Sequence, residues 1–95
     1  MKGLSRIQAM ANALRGDGPI KQRLTLGGQA FWSATIDADT WPLVLKAQVE
    51  ALQGRLLTEG PIDKTVARMD EQTAQHVLEV LLRFADAFEA MAKNS

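Results

Sequence analysis

The chain has no cysteine, only one histidine, few aromatic residues and no net charge at neutral pH. The lack of cysteine excludes disulfides, thiolate metal sites and cysteine nucleophiles, and it suits a reducing compartment, so we expect a cytoplasmic protein. Zero net charge does not favour a strongly basic nucleic-acid-binding protein or an acidic tail. No apolar run approaches the ~18 residues that a membrane span needs, so no membrane partner is expected.

The length and composition predict one globular domain over residues 1–95. The chain has 95 residues, of which 46% are hydrophobic and 23% charged. These proportions are ordinary for a soluble domain, and a chain of this length buries enough surface for a modest core.

The strongest pattern in the sequence is an apolar stripe near its end. Its members recur at alternating spacings of three and four, the period of one helix face: Ala74, Val77, Leu81, Phe84, Phe88 and Met91. Neighbouring apolar residues widen this face beyond what a surface helix needs. We therefore take Val77, Leu81, Phe84 and Phe88 as either the core of a monomer or the contact face of a homodimer.

A pair of glycines predicts a β-hairpin in the first half of the chain. Gly27-Gly28 separates two β-prone runs, residues 20–26 and 29–36, and both glycines tolerate the positive φ of a tight turn. In this register Arg23 lies directly across from Trp32.

Helices are predicted on both sides of the hairpin. The first runs from about Leu4 to Arg15, and another starts near Pro42 and continues to about Leu56. We expect a break near Met69 and a last helix capped by Asp70, although one continuous helix from Asp63 is the alternative. The fold class is therefore α+β: an N-terminal helix, a two-stranded antiparallel hairpin, and two or three C-terminal helices packed on it.

Three residues form the candidate interaction surface. Residues 1–36 carry five basic side chains and one acidic, whereas residues 37–95 carry six basic and ten acidic. Within the basic part, Lys21, Arg23 and Trp32 fall together on one face of the predicted hairpin. A basic strand with an aromatic platform can hold single-stranded nucleic acid, but the same residues can also shield the edge of a small sheet.

No residue pattern indicates catalysis, and we assign no catalytic residue, metal ligand, cofactor or small-molecule site. The single histidine, His76, is predicted on the polar side of the last helix beside Glu79, where a surface role is the simpler interpretation. The sequence thus favours a homodimeric protein-interaction or regulatory module. A nucleic-acid-binding regulator is the alternative, and a small enzyme using His76 is the third hypothesis.

Overall fold

A computed structural model describes residues 1 to 94, and these residues form five α-helices and one 3-10 helix. The helices are α1 (Leu4–Leu14), α2 (Ile20–Ala34), α3 (Leu43–Leu56), α4 (Ile62–Arg68) and α5 (Glu71–Lys93), with the 3-10 helix at Thr35–Thr40. The described part of the chain contains no strand, so the predicted α+β class is wrong and the fold is all-helical.

Several helix boundaries match those predicted from the sequence. The first and third helices lie where the apolar spacing put them, and Pro42 directly precedes α3. The break near Met69 is confirmed, because Met69 has an extended backbone between α4 and α5. Asp70 caps α5, since its side chain accepts a hydrogen bond of 2.7 Å from the backbone N–H of Thr73.

The predicted hairpin is wrong, because residues 20–34 form the continuous helix α2. Its buried members repeat at alternating spacings of four and three: Ile20 (half-buried), Leu24, Gly27, Phe31 and Ala34. That is a helical period with a glycine in its middle position. Glycine carries no apolar side chain, so the stripe is not visible when the sequence is read for hydrophobic spacing.

The two glycines of α2 serve close packing between helices. A Cβ atom on Gly27 would lie 2.3 Å from Cδ2 of Leu14, so the Leu14 side chain of α1 packs directly on the backbone of α2 at Gly27. A Cβ atom on Gly28 would lie 3.1 Å from Cγ2 of Ile62 in α4. Both glycines are helical, and the positive φ that the hairpin required is absent from them.

Helix α5 is the centre of the molecule. It packs against α1, α2 and α3, and it supplies Phe84 and Phe88 to an aromatic cluster. The ring of Phe31 meets Phe84 edge-on at 5.4 Å, and the ring of Trp41 meets Phe88 at 4.9 Å. The wide apolar face of α5 is therefore covered from several sides by the same chain.

Trp41 ties the start of the chain to this cluster. Its ring is buried, and its Nε1–H donates a hydrogen bond of 2.8 Å to the backbone carbonyl of Lys2. Gly3, at φ 93°, follows at the N-cap of α1, in a conformation that favours glycine.

None of the helices within residues 1 to 94 is both long enough and apolar enough to cross a membrane.

Candidate interaction surface

The structure does not bring Lys21, Arg23 and Trp32 together as the hairpin predicted. All three lie on α2, where Trp32 follows Arg23 by nine positions. Successive residues of an α-helix are about 100° and ~1.5 Å apart, so Arg23 and Trp32 project from opposite sides of α2, roughly 13 Å apart along its axis. No stacking of the guanidinium on the indole is possible in this arrangement.

Four of the five basic side chains in residues 1–36 contact other groups of the same chain. Arg23 donates to the carbonyl oxygen of Leu14 (3.1 Å), the last residue of α1, and to that of Gly18 (2.9 Å) in the loop before α2. Lys21 donates to the carbonyl oxygen of Ala67 at 3.2 Å, near the end of α4. The carbonyl groups of Leu14 and Ala67 lie in the last turn of a helix, where positive charge is favourable.

Two further arginines also contact other parts of the same chain. Arg6 donates to the carbonyl oxygen of Ser33 at 3.0 Å, joining α1 to α2. Arg15 forms an exposed ion pair with Asp86 of α5 at 3.5 Å. The basic part of the chain is thus linked in part to the acidic part within one molecule.

The candidate dimer or core face lies in the chain's own core. Val77, Leu81, Phe84 and Phe88 are all at most 3% exposed. A second copy cannot contact these side chains while the monomer is folded as described, so self-association needs another surface.

His76 lies on the exposed polar side of α5. It lines an open groove with Ile20 and the α5 side chains Glu71 and Glu79. Glu79 accepts a hydrogen bond from Gln75 at 3.2 Å. Among residues 1 to 94 no group of three or more histidine, aspartate or glutamate side chains is placed to hold a metal ion.

Among residues 1 to 94, six large apolar side chains are exposed to solvent: Leu26, Trp32, Ile36, Leu43, Val44 and Leu57. Trp32 and Ile36, 49% and 76% exposed, line one shallow groove with Arg6. Leu43 is the most exposed of the six at 81%, and Val44 follows it at the start of α3. Single exposed apolar residues are ordinary, so a site requires a continuous face.

Helix α3 has such a face, because it is apolar on two sides. Its inner side carries four buried residues: Leu45, Val49, Leu52 and Leu56. A second set of five residues lies on the opposite side of α3. With ~100° between successive residues around the helix axis, the whole set falls within an arc of about 100°. This set, all exposed, is Leu43, Val44, Ala47, Ala51 and Gly54, and we call it the outer face of α3.

The outer face contains no charge and is bordered by polar side chains. Lys46 and Glu50 lie along one edge, and Gln48 and Arg55 lie along the other. Next to the second edge, Gln48, Arg55 and Ala51 line a small apolar groove with Leu52 and with Val80 of α5. A Cβ atom on Gly54 would meet nothing within 4 Å, so the face is open to solvent at that end.

The residues of the outer face recur at helical spacing in the sequence. They are missed when only the strongest apolar stripe of each helix is considered. The spacing Leu43, Ala47, Ala51 and Gly54 is a helical one, but alanine and glycine add little hydrophobicity to it. The larger residues Leu45, Val49 and Leu52 therefore dominate the pattern.

Comparison with models of protein families, with curated proteins and with solved structures gave no match to this chain.

Proposed function

We propose that this chain is a small protein-interaction module that acts by presenting a surface, and that the outer face of α3 is its contact surface. The observation that carries the proposal is the two-sided character of α3. A helix on the surface of a domain ordinarily has a polar outer side, whereas this one exposes Leu43 and Val44 beside an uncharged strip.

The shape of the outer face favours a helical partner. Ala47, Ala51 and Gly54 are small, so the backbone of a second helix can approach to the short end of the usual 8–10 Å between axes. The polar edges described above match the rim that surrounds an apolar contact in a protein interface. A cytoplasmic location, which the lack of cysteine supports, is part of this proposal.

The nucleic-acid alternative has no comparable support. Lys21 and Arg23 donate to backbone carbonyl oxygens, and Trp32 lies on the opposite side of α2 from Arg23. It stays a hypothesis from the sequence, and we do not propose it.

Site-specific photo-cross-linking in the cells that produce the protein tests the proposal. A photoreactive residue replaces Ala47 on the outer face, and a matched variant carries it at Ala9, an exposed alanine of α1. We expect a covalent protein adduct from position 47 and none from position 9. No adduct from position 47, or equal adducts from both positions, would contradict the proposal.

A second substitution makes the test specific to the apolar contact. Leu43→Glu places a charge on the outer face, and the monomer should still fold because this side chain is already 81% exposed. Circular dichroism checks the fold. Loss of the Ala47 adduct in the folded Leu43→Glu protein is the expected result, and a persistent adduct would place the contact elsewhere.

A further inference from the structure

We propose that Asp17, in the loop between α1 and α2, is a site of spontaneous covalent modification at which aspartate isomerises to isoaspartate, and that Arg23 slows this reaction by restraining the loop. The inference goes beyond the proposed function and does not involve the outer face of α3. Three observations carry it: the residue that follows Asp17, the exposure of the loop, and the two hydrogen bonds with which Arg23 spans it.

The first observation is that glycine follows Asp17 and no other aspartate of the chain. The remaining aspartates each precede a residue that has a Cβ atom: Asp37, Asp39, Asp63, Asp70 and Asp86. A Cβ atom crowds the backbone nitrogen of its own residue and restricts the backbone, whereas glycine does neither. Attack of the next backbone nitrogen on the aspartate side chain is therefore least hindered at Asp17.

The second observation is that the reacting groups of the loop are accessible. Residues 15 to 19 are all exposed and lie between the two helices. Within residues 1 to 94 the Asp17 carboxylate forms no ion pair or hydrogen bond, and the Gly18 N–H donates none. Neither the carboxyl carbon nor the nitrogen that attacks it is held by another group of the chain.

The reaction needs only these two groups and water. The Gly18 nitrogen attacks the carbon of the protonated Asp17 carboxyl group, a nitrogen–carbon bond forms, and the bond from that carbon to its hydroxyl breaks. The hydroxyl leaves as water with the proton of the Gly18 N–H, which closes a succinimide ring. Water then opens the ring. Opening between the nitrogen and the former backbone carbonyl carbon gives isoaspartate, with the main chain longer by one methylene.

The third observation is that Arg23 bridges the loop on both sides of Asp17. Its Nε–H donates to the carbonyl oxygen of Gly18 at 2.9 Å, and its Nη1 donates to the carbonyl oxygen of Leu14 at 3.1 Å. The ring of Pro19, at φ −56°, restrains the chain directly after Gly18. The peptide between Asp17 and Gly18 must rotate before the ring can close, so these contacts oppose the reaction.

Isoaspartate at position 17 should loosen the pair of helices α1 and α2. The extra methylene lies between the two carbonyl groups that Arg23 holds, and Leu14 also packs on Gly27. Chromatography separates the isoaspartate form from unmodified protein, and calorimetry compares them. We expect a lower melting temperature for the isoaspartate form, and equal melting temperatures would overturn this coupling.

Peptide mapping of protein aged at neutral pH, below its melting temperature, tests the site. Isomerisation leaves the mass unchanged, so fragmentation of the main chain in the mass spectrometer identifies isoaspartate. The matched position is Asp39, which is also exposed but precedes a threonine. We expect isoaspartate to accumulate at position 17 several times faster than at position 39. No isoaspartate at position 17, or equal rates at both positions, would overturn the proposal.

Gly18→Ala tests the chemistry. Gly18 has no positive φ, and a Cβ atom there would lie 3.0 Å from Oε1 of Gln22, the far end of a flexible side chain, so the fold should be kept. We expect isomerisation to slow several-fold, both in the folded protein and in urea, because the Cβ atom hinders ring closure. A rate equal to that of the original protein would overturn the proposal.

Arg23→Met tests the restraint, since it removes both hydrogen bonds and keeps an apolar stem. We expect isomerisation several times faster than in the original protein, approaching the rate of the original protein unfolded in urea. Circular dichroism checks the fold. If this variant unfolds, Arg23→Lys replaces it, and an intermediate rate is expected because one donor remains. A folded variant that isomerises no faster than the original protein would overturn the role of Arg23.

Discussion

Gly27 sets how closely the first two helices approach. A methyl group there would lie 2.3 Å from the side chain of buried Leu14. Alanine is intrinsically better than glycine in a helix by about 1 kcal/mol, but overpacking a filled core costs about 1–3 kcal/mol. At this position we expect the packing effect to be the larger of the two.

We therefore predict that Gly27→Ala lowers the free energy of unfolding by roughly 1–2 kcal/mol, as measured by urea denaturation. The matched control is Gly54→Ala, which is also helical but meets nothing within 4 Å. Gly54→Ala should raise the free energy of unfolding by up to about 1 kcal/mol at dilute protein concentration. Equal effects of the two substitutions would contradict the close approach of α1 and α2.

Asp70 gives the last helix a pH-sensitive start. The pKa of its carboxyl group is below the ordinary value of 3.8 because the carboxylate accepts the Thr73 backbone N–H, with smaller help from the Thr73 side chain and the charge of Lys21. A lowered pKa in the folded state means that the ionised cap stabilises the fold above pH 3.8. This contribution is lost as the pH falls through the lowered pKa.

We predict that Asp70→Ala lowers the melting temperature at pH 7 and that the difference from the original protein shrinks below about pH 4. Asp70→Asn keeps an uncharged capping oxygen, so its melting temperature should lie between the two at neutral pH. Calorimetry across the pH range measures all three. A difference that stays constant down to pH 2 would show that Asp70 is not an ionised cap.

At the scale of single elements, the sequence predicts helices well where large side chains mark one face. The apolar residues of α1, α3 and α5 appear at helical spacing, and the boundary at Met69 follows from the position of Asp70. These are local signals, and the structure confirms them.

Helix α2 shows why a local signal can mislead. The β-prone residues on both sides of Gly27-Gly28 favour strands when read alone. The packing of Gly27 on Leu14 and of Gly28 on Ile62 joins residues distant in the sequence, and this tertiary packing overrides the local preference. The grouping of Lys21, Arg23 and Trp32 depended on the hairpin as well, because only the hairpin register placed Arg23 across from Trp32.

The helical state of residues 20–34 is directly measurable. We predict downfield Cα chemical shifts and sequential amide–amide contacts that run without interruption through Gly27 and Gly28. Cross-strand contacts between residues 20–26 and 29–36 would contradict the helix and support the hairpin.

At the scale of the whole molecule, several basic side chains of residues 1–36 contact other groups of the same chain. Arg15 pairs with Asp86, while Lys21, Arg23 and Arg6 bind carbonyl oxygens. These contacts leave fewer cations to bind successive phosphates, and steep salt dependence requires several such contacts.

We therefore predict no salt-dependent binding of single- or double-stranded oligonucleotides, as followed by fluorescence anisotropy at low and physiological salt. Tryptophan emission, recorded at the same time, separates the half-exposed Trp32 from the buried Trp41. Binding that falls steeply with salt and changes the Trp32 emission would revive the nucleic-acid alternative.

The central position of α5 has a consequence for the order in which the protein is made. Phe31 and Trp41 are synthesised well before Phe84 and Phe88, the rings that cover them. When only the first four helices have emerged from the ribosome, the rings of Phe31 and Trp41 therefore lack the α5 side chains that cover them in the folded protein. The core can close only after α5 has left the exit tunnel, so its formation is a late and cooperative event for this chain.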